Sequence, residues 1–120
     1  AIRNVLNGTA SKLIESYESE GIKPELQPLR DTLKKMHEDL NRAVDTVKGL
    51  DNNEAVDFNA RRLVEMAGYT ILGNLVMLDA NRSDMFRKSA EVFVDYGRSM
   101  VARHADFIAS FRNEKMEYYK

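Results

Sequence analysis

Chemistry in this chain would have to come from two histidines, their carboxylate neighbours and a few hydroxyls, because it contains no cysteine. His37 stands beside Glu38 and Asp39. A bundle that relays phosphoryl groups presents one exposed histidine on a helix, with a Lys-Gly pair close by. Here Glu38-Asp39-Leu40-Asn41 follows instead, and acidic neighbours repel a phosphoryl donor. A solvated surface side chain is the expectation for His37. His104 falls on an apolar stripe between Met100 and Phe107. A buried histidine paired with a carboxylate can act as a base. Asp106 is two residues away and points elsewhere on a helix, so a core or subunit-interface histidine is expected.

Other site chemistries fail on spacing. A dinuclear metal site in a bundle needs Glu-x-x-His pairs on two helices, and Lys34 and Val101 occupy the positions three before the histidines. Thiolate ligands, cysteine nucleophiles and disulfides are excluded by composition. Gly68 and Gly73 lie inside a helical stretch, not at the strand-to-helix turn that cradles phosphate. With only two histidines, no Ser-His-acid arrangement is proposed. We therefore expect no catalytic, cofactor-binding or metal-binding residue in this chain. Met66, Tyr69, Met77, Met85, Phe93 and Tyr96 could line a cofactor or acyl pocket, but such residues at helical spacing are more often core.

The elements that carry these residues are helices. Apolar positions recur three and four apart in four segments, predicting helices over 2–20, 28–48, 54–80 and 84–111. The first stripe is Ile2, Val5, Leu6, Ala10, Leu13, Ile14 and Tyr17, and Gly8 should fray its start. Gly21, in a left-handed conformation, is the expected stop, and Gly49 should end the second helix. The second stripe is Leu26, Leu29, Leu33, Met36, Leu40, Ala43, Val44 and Val47, with Arg30, Lys34, Glu38 and Arg42 on the opposite face. Asp51-Asn52-Asn53 supplies N-cap chemistry for the third helix. Its stripe is Val56, Ala60, Leu63, Val64, Ala67, Ile71, Leu75 and Leu78, and beyond Met66 it is apolar nearly all round. Gly68 and Gly73 should let a neighbouring backbone come close. After Asn81-Arg82-Ser83, the fourth helix carries Phe86, Ala90, Phe93, Gly97, Met100, Val101, His104, Phe107, Ile108 and Phe111. No segment alternates at period two, so the expected fold is all-α, an antiparallel up-down bundle of about four helices. The polar tail, 113–120, should fray, although Tyr118 and Tyr119 could dock.

Composition agrees with one globular domain. The 120 residues are 43% hydrophobic and 31% charged, with net charge −1. A chain of this size buries roughly two thirds of its unfolded surface, enough for an ordinary core. Without a basic excess, nucleic-acid binding is not expected. The longest uncharged run, Met66 to Leu78, is too short for a membrane span, which needs about 20 residues. No signal peptide is visible, so a cytoplasmic location is expected. Residue 1 is Ala rather than Met, as in a segment cut from a longer protein.

A small bundle does not need a helix buried on every side. The excess marks Met66, Tyr69, Leu72, Val76 and Met77 as a candidate interface with something outside the chain. Two functions remain open: an accessory domain of a larger enzyme, or a free-standing helical protein–protein interaction module.

The order of features from Leu26 onward narrows this. A Leu-rich helix ending near Gly49 leads into Asp57-Phe58-Asn59-Ala60-Arg61-Arg62-Leu63-Val64-Glu65-Met66-Ala67-Gly68-Tyr69-Thr70-Ile71-Leu72-Gly73-Asn74-Leu75-Val76-Met77-Leu78-Asp79-Ala80, and then a helix beginning Phe86-Arg87-Lys88-Ser89-Ala90. This resembles the C-terminal helical extension of some bacterial acyl-CoA dehydrogenases. Asn74 and Leu75 stand where that extension often has bulky aromatics. The resemblance implies three parts: an N-terminal helix and connector (1–25), either the end of a preceding core or part of the extension; the bundle (26–112); and the tail (113–120). It also implies a parent flavoenzyme that oxidises acyl-CoA at its α and β carbons with FAD, whose catalytic and flavin-contacting residues lie upstream. Partners would be the dehydrogenase core of the same polypeptide and a second subunit. Acyl-CoA would be met only through the parent, at most along a rim where it enters.

Overall fold

Gly8 breaks the first helix. In the computed structural model, which describes residues 2–119, α1 spans Ile2–Leu6 and α2 spans Thr9–Glu18, with Gly8 between them at φ 88°. This is the single left-handed residue among those described, so the expected fraying is a sharp turn instead. Lacking a Cβ, glycine adopts this conformation without penalty. Gly21 is not left-handed, and α2 ends earlier, at Glu18, with the Ser19 and Glu20 amides bonded back to Glu15 and Tyr17.

After a connector and a 3₁₀ turn at Pro24–Leu26, α3 spans Gln27–Lys48. Gly49 does follow its last turn, with φ −79°. The next helix, α4, spans Asn53–Arg82; of the three expected capping residues it is Asn52 that acts, accepting from the Glu54 and Ala55 amides at 2.9 and 3.1 Å. Ser83 precedes a 3₁₀ turn, Asp84–Phe86, before α5, Arg87–Ser110. The tail forms a 3₁₀ helix over Asn113–Tyr119, in which Met116 is buried and the Tyr119 ring stands 4.7 Å from Phe58. Tyr119 rests its ring on Phe58 while staying 51% exposed, and Tyr118 is 79% exposed. Ala1 and Lys120 lie outside the described residues.

Short connections between long helices give an antiparallel bundle 49 × 23 × 18 Å in extent. Here α3, α4 and α5 pack on one another, while α1 and α2 lie against α4 and α3 as the fourth rod. Ile14, Leu26, Leu33, Met36, Leu40, Leu63, Met66, Met77 and Ile108 are its largest buried aliphatic side chains. The α3 stripe is close to the one expected, but the polar residues Arg30, His37 and Asp39 are buried as well. Arg30 is buried, and its guanidinium donates to the carbonyls of Glu20 (2.7 Å) and Tyr17 (3.1 Å) at the end of α2. A cation there satisfies carbonyls the helix leaves unpaired.

The α4 stripe is rotated from expectation. Asn59, Leu63, Met66, Thr70, Gly73, Met77 and Ala80 face inward, at spacings of four and three. Leu75, expected inside, is exposed. Asn59, Thr70 and Asn74 enter the core by donating to carbonyls one turn back, those of Ala55, Met66 and Thr70. By length and composition α4 could cross a membrane, yet half of its most apolar window is buried inside the bundle. That burial is the mark of a core helix.

Only one of the two α4 glycines permits close approach. A Cβ on Gly73 would sit 2.6 Å from Leu33 Cδ2, whereas one on Gly68 would meet nothing within 4 Å. Gly97 of α5 lies against Tyr69 and Met36, where a Cβ would make ordinary contacts of 3.4 Å and more. Gly68→Ala should therefore raise stability by about 1 kcal/mol, the helix-propensity gain. At Gly73 the same change should yield no gain, and should become stabilising once Leu33 is also cut to Ala. Urea unfolding followed by far-ultraviolet circular dichroism checks both signs.

Candidate functional site

The residues that could do chemistry sit between helices, and His37 differs from expectation. His37 is not solvated. It lies four residues after Leu33 and three before Leu40, on the edge of the α3 stripe that meets α2, and is 6% exposed. Its Nε2 is 2.6 Å from Ser11 Oγ and its Nδ1 is 3.0 Å from Glu18 Oε2, both on α2. A Ser-His-acid arrangement thus exists, with the partners of His37 on another helix. Ser11 and Glu18 are seven residues apart, two turns along one face, and that spacing was the available signal.

His104 is half-buried, as an interior position suggested. Asp106 is not its partner. The carboxylate comes from α4, with Glu65 Oε2 2.7 Å from His104 Nε2. Below it, the Arg62 guanidinium lies 3.8 Å from the Phe107 ring centre and donates to the Phe58 carbonyl. Among the described residues, no three metal-ligating side chains gather.

The candidate interface residues separate into two sets. Met66 and Met77 are fully buried in the chain's own core. Tyr69 and Val76 are half-buried, and Leu72 is 51% exposed. These last three fall three and four apart, on one stripe of α4. Beside them α5 contributes Phe93 and Tyr96, whose rings lie 6.3 and 5.9 Å from that of Tyr69. Val92 (64% exposed), Met85 and Phe86 are also exposed apolar residues of the α5 region. An open groove of about 740 Å³ runs along α5, lined by Met85, Lys88, Ser89, Val92, Phe93 and Tyr96. Met85, Phe93 and Tyr96, three of the residues that could line a pocket, do line this groove, while helical spacing also put Phe86 and Phe93 on the inward stripe of the fourth helix. Phe93 is half-buried and Phe86 exposed. Partial burial pushes the Tyr69 phenol up, with the Tyr96 phenol and the Glu65 carboxylate adding to the effect.

Against known proteins, residues 6–116 match the family model described as acyl-CoA dehydrogenase C terminal. The crystal structure of the acyl-CoA dehydrogenase family protein from Porphyromonas gingivalis is similar, with a TM-score of 0.86 and 39% identity, covering 93% of this chain and 97% of that one. No curated protein matches.

The Tyr69 shift has a checkable sign. The native phenol holds its proton more tightly than an unfolded tyrosine, whose pKa is about 10. The linked stability is fully present below that value and is lost as pH rises through the folded one. Urea midpoints of wild type and Tyr69→Phe should keep a constant offset up to about pH 10, and wild type should lose ground above it. An offset that never changes would count against the assignment.

Proposed function

The chain belongs to the acyl-CoA dehydrogenase C-terminal family, and from that premise we propose that its α4–α5 face docks on the dehydrogenase core of the same polypeptide and on a second subunit. It is an accessory helical domain of an acyl-CoA dehydrogenase-like enzyme. The observation that carries the docking proposal is the apolar row of half-buried Tyr69 and Val76 around exposed Leu72, flanked by half-buried Phe93 and exposed Tyr96. Each such side chain, once covered, stabilises the contact by about 1.5–3 kcal/mol, so a few are enough to hold a partner.

The parent enzyme would use FAD to oxidise acyl-CoA, in the cytoplasm and within fatty acid metabolism. Two of this chain's own grooves do not fit a flavin dinucleotide. The groove beside Ser11 sets Lys12 and Lys48 against Glu15 and Asp45, carboxylates that would repel a pyrophosphate. In the groove beside His104, the Phe107 face is covered by Arg62 and cannot stack on a flavin. The catalytic carboxylate and flavin contacts would then come from the core, with this domain contributing packing and oligomerisation. Residues 1–25 would travel with the bundle as part of the extension, because Val5, Ala10 and Ile14 enter the same core.

Sedimentation of the isolated chain tests the proposal. With its face uncovered, wild type should self-associate at high micromolar concentration. Leu72→Glu should abolish association while leaving the thermal midpoint unchanged. A strictly monomeric wild type would retire the interface.

A further inference from the structure

We infer that Ser11, His37 and Glu18 form a nucleophile relay able to take an acyl group from a short-chain ester or thioester. The three side chains make the two hydrogen bonds such a relay requires, in the required order: hydroxyl to Nε2 at 2.6 Å, and Nδ1 to carboxylate at 3.0 Å. Glu18 accepts a hydrogen bond from His37 Nδ1–H and thereby selects the tautomer whose Nε2 is free to take a proton from Ser11. The relay is also rigid. His37 is 6% exposed, and the backbone carbonyls of Tyr17 and Glu20, on either side of Glu18, are held by Arg30.

The surroundings supply what a clamp between helices would not need. Ser11 opens onto a groove of about 410 Å³, whose apolar lining includes Val5, Leu6, Leu40 and Val44. That lining suits a short acyl chain. Ser11 stands in the first turn of α2, the end of a helix that favours negative charge. The Thr9 amide is taken by the Asn7 side chain and the Lys12 amide by the Gly8 carbonyl, which leaves the Ala10 and Ser11 amides without a partner among the described residues. Serine hydrolases use the nucleophile's own amide to stabilise the oxyanion.

The step balances with water as the only co-reactant. Ser11 Oγ attacks the acyl carbon and its proton moves to His37 Nε2. The tetrahedral adduct collapses, the bond from the acyl carbon to the leaving oxygen or sulfur breaks, and His37 returns the proton to the alcohol or thiol. Water then gives a proton to His37 and adds to the acyl carbon. The ester bond to Oγ breaks, Ser11 recovers the proton, and a carboxylic acid leaves.

The probe is p-nitrophenyl butyrate on the full chain, with nitrophenol release followed by absorbance and the acyl adduct located by peptide mass spectrometry. Wild type should carry one butyryl group on Ser11. Ser11→Ala should lose that adduct, and His37→Gln should slow acylation about a hundredfold, the usual contribution of a positioned base. Glu18→Gln should slow it less. Circular dichroism melts keep loss of folding distinct from loss of chemistry, and Ser11→Cys, which keeps a nucleophile, should restore an adduct at position 11. No adduct on folded wild type would overturn the relay. So would butyryl spread over lysines and tyrosines at a rate His37→Gln leaves unchanged, because the three residues would then be only a clamp between α2 and α3.

Discussion

Covering α4 is the constraint from which the rest of this fold follows. A helix of 30 residues with a long uncharged middle must find apolar neighbours on most of its sides. The chain supplies α3, α5 and the broken α1–α2 rod. Close approach is possible where Leu33 of α3 lies over Gly73, and Tyr69 of α4 lies against Gly97. At Gly73 the missing side chain is the packing feature, because a Cβ there would sit 2.6 Å from Leu33, whereas at Gly97 it would make ordinary contacts. Three neighbours still leave one stripe of α4 uncovered, and Leu72 is on it. The apolar excess visible in the sequence and the partly exposed row in the structure are thus one property.

Polar contacts decide how the thinner first rod is held. Its helices are short, and short isolated helices are marginal in water. Arg30 closes the end of α2, His37 ties α2 to α3, and Asn81 bonds to Lys23 and Gly21 of the connector. Each bond spans elements distant in sequence, and together they fix the register of the rod. The same clamps hold Ser11 beside the groove floor, so the scaffold and the inferred chemistry share residues.

Much of the architecture was legible from periodicity. The α3 stripe, the four rods and the cap at Asn52 follow from residue type and spacing, as does the family resemblance carried by the Gly68–Gly73 stretch. What stayed hidden was helical phase in α4, where apolar residues on every side erase the contrast that reveals an inward face. Asn59, Thr70 and Asn74 deepened the error, because back-bonding lets a polar residue enter a core unnoticed. Gly8 was seen as a weakness of the first helix, but its left-handed turn depends on how α1 and α2 fold onto α4. Ser11 and Glu18 were invisible as partners of His37 for a similar reason. Pairing across helices is tertiary information, and one sequence carries it only as two positions on a common face.

The central claim is that the Leu72 stripe is covered when the domain sits in its enzyme. The chain's lack of cysteine makes this directly measurable. A thiol placed at Leu72→Cys, with Lys34→Cys on exposed α3 surface as reference, would be labelled by a maleimide in the isolated domain and in the full-length enzyme. The account predicts equal, rapid labelling of both positions in the isolated domain under conditions that keep it monomeric, and strong protection of position 72 alone in the full enzyme. Equally rapid labelling of both positions in the full enzyme would contradict it.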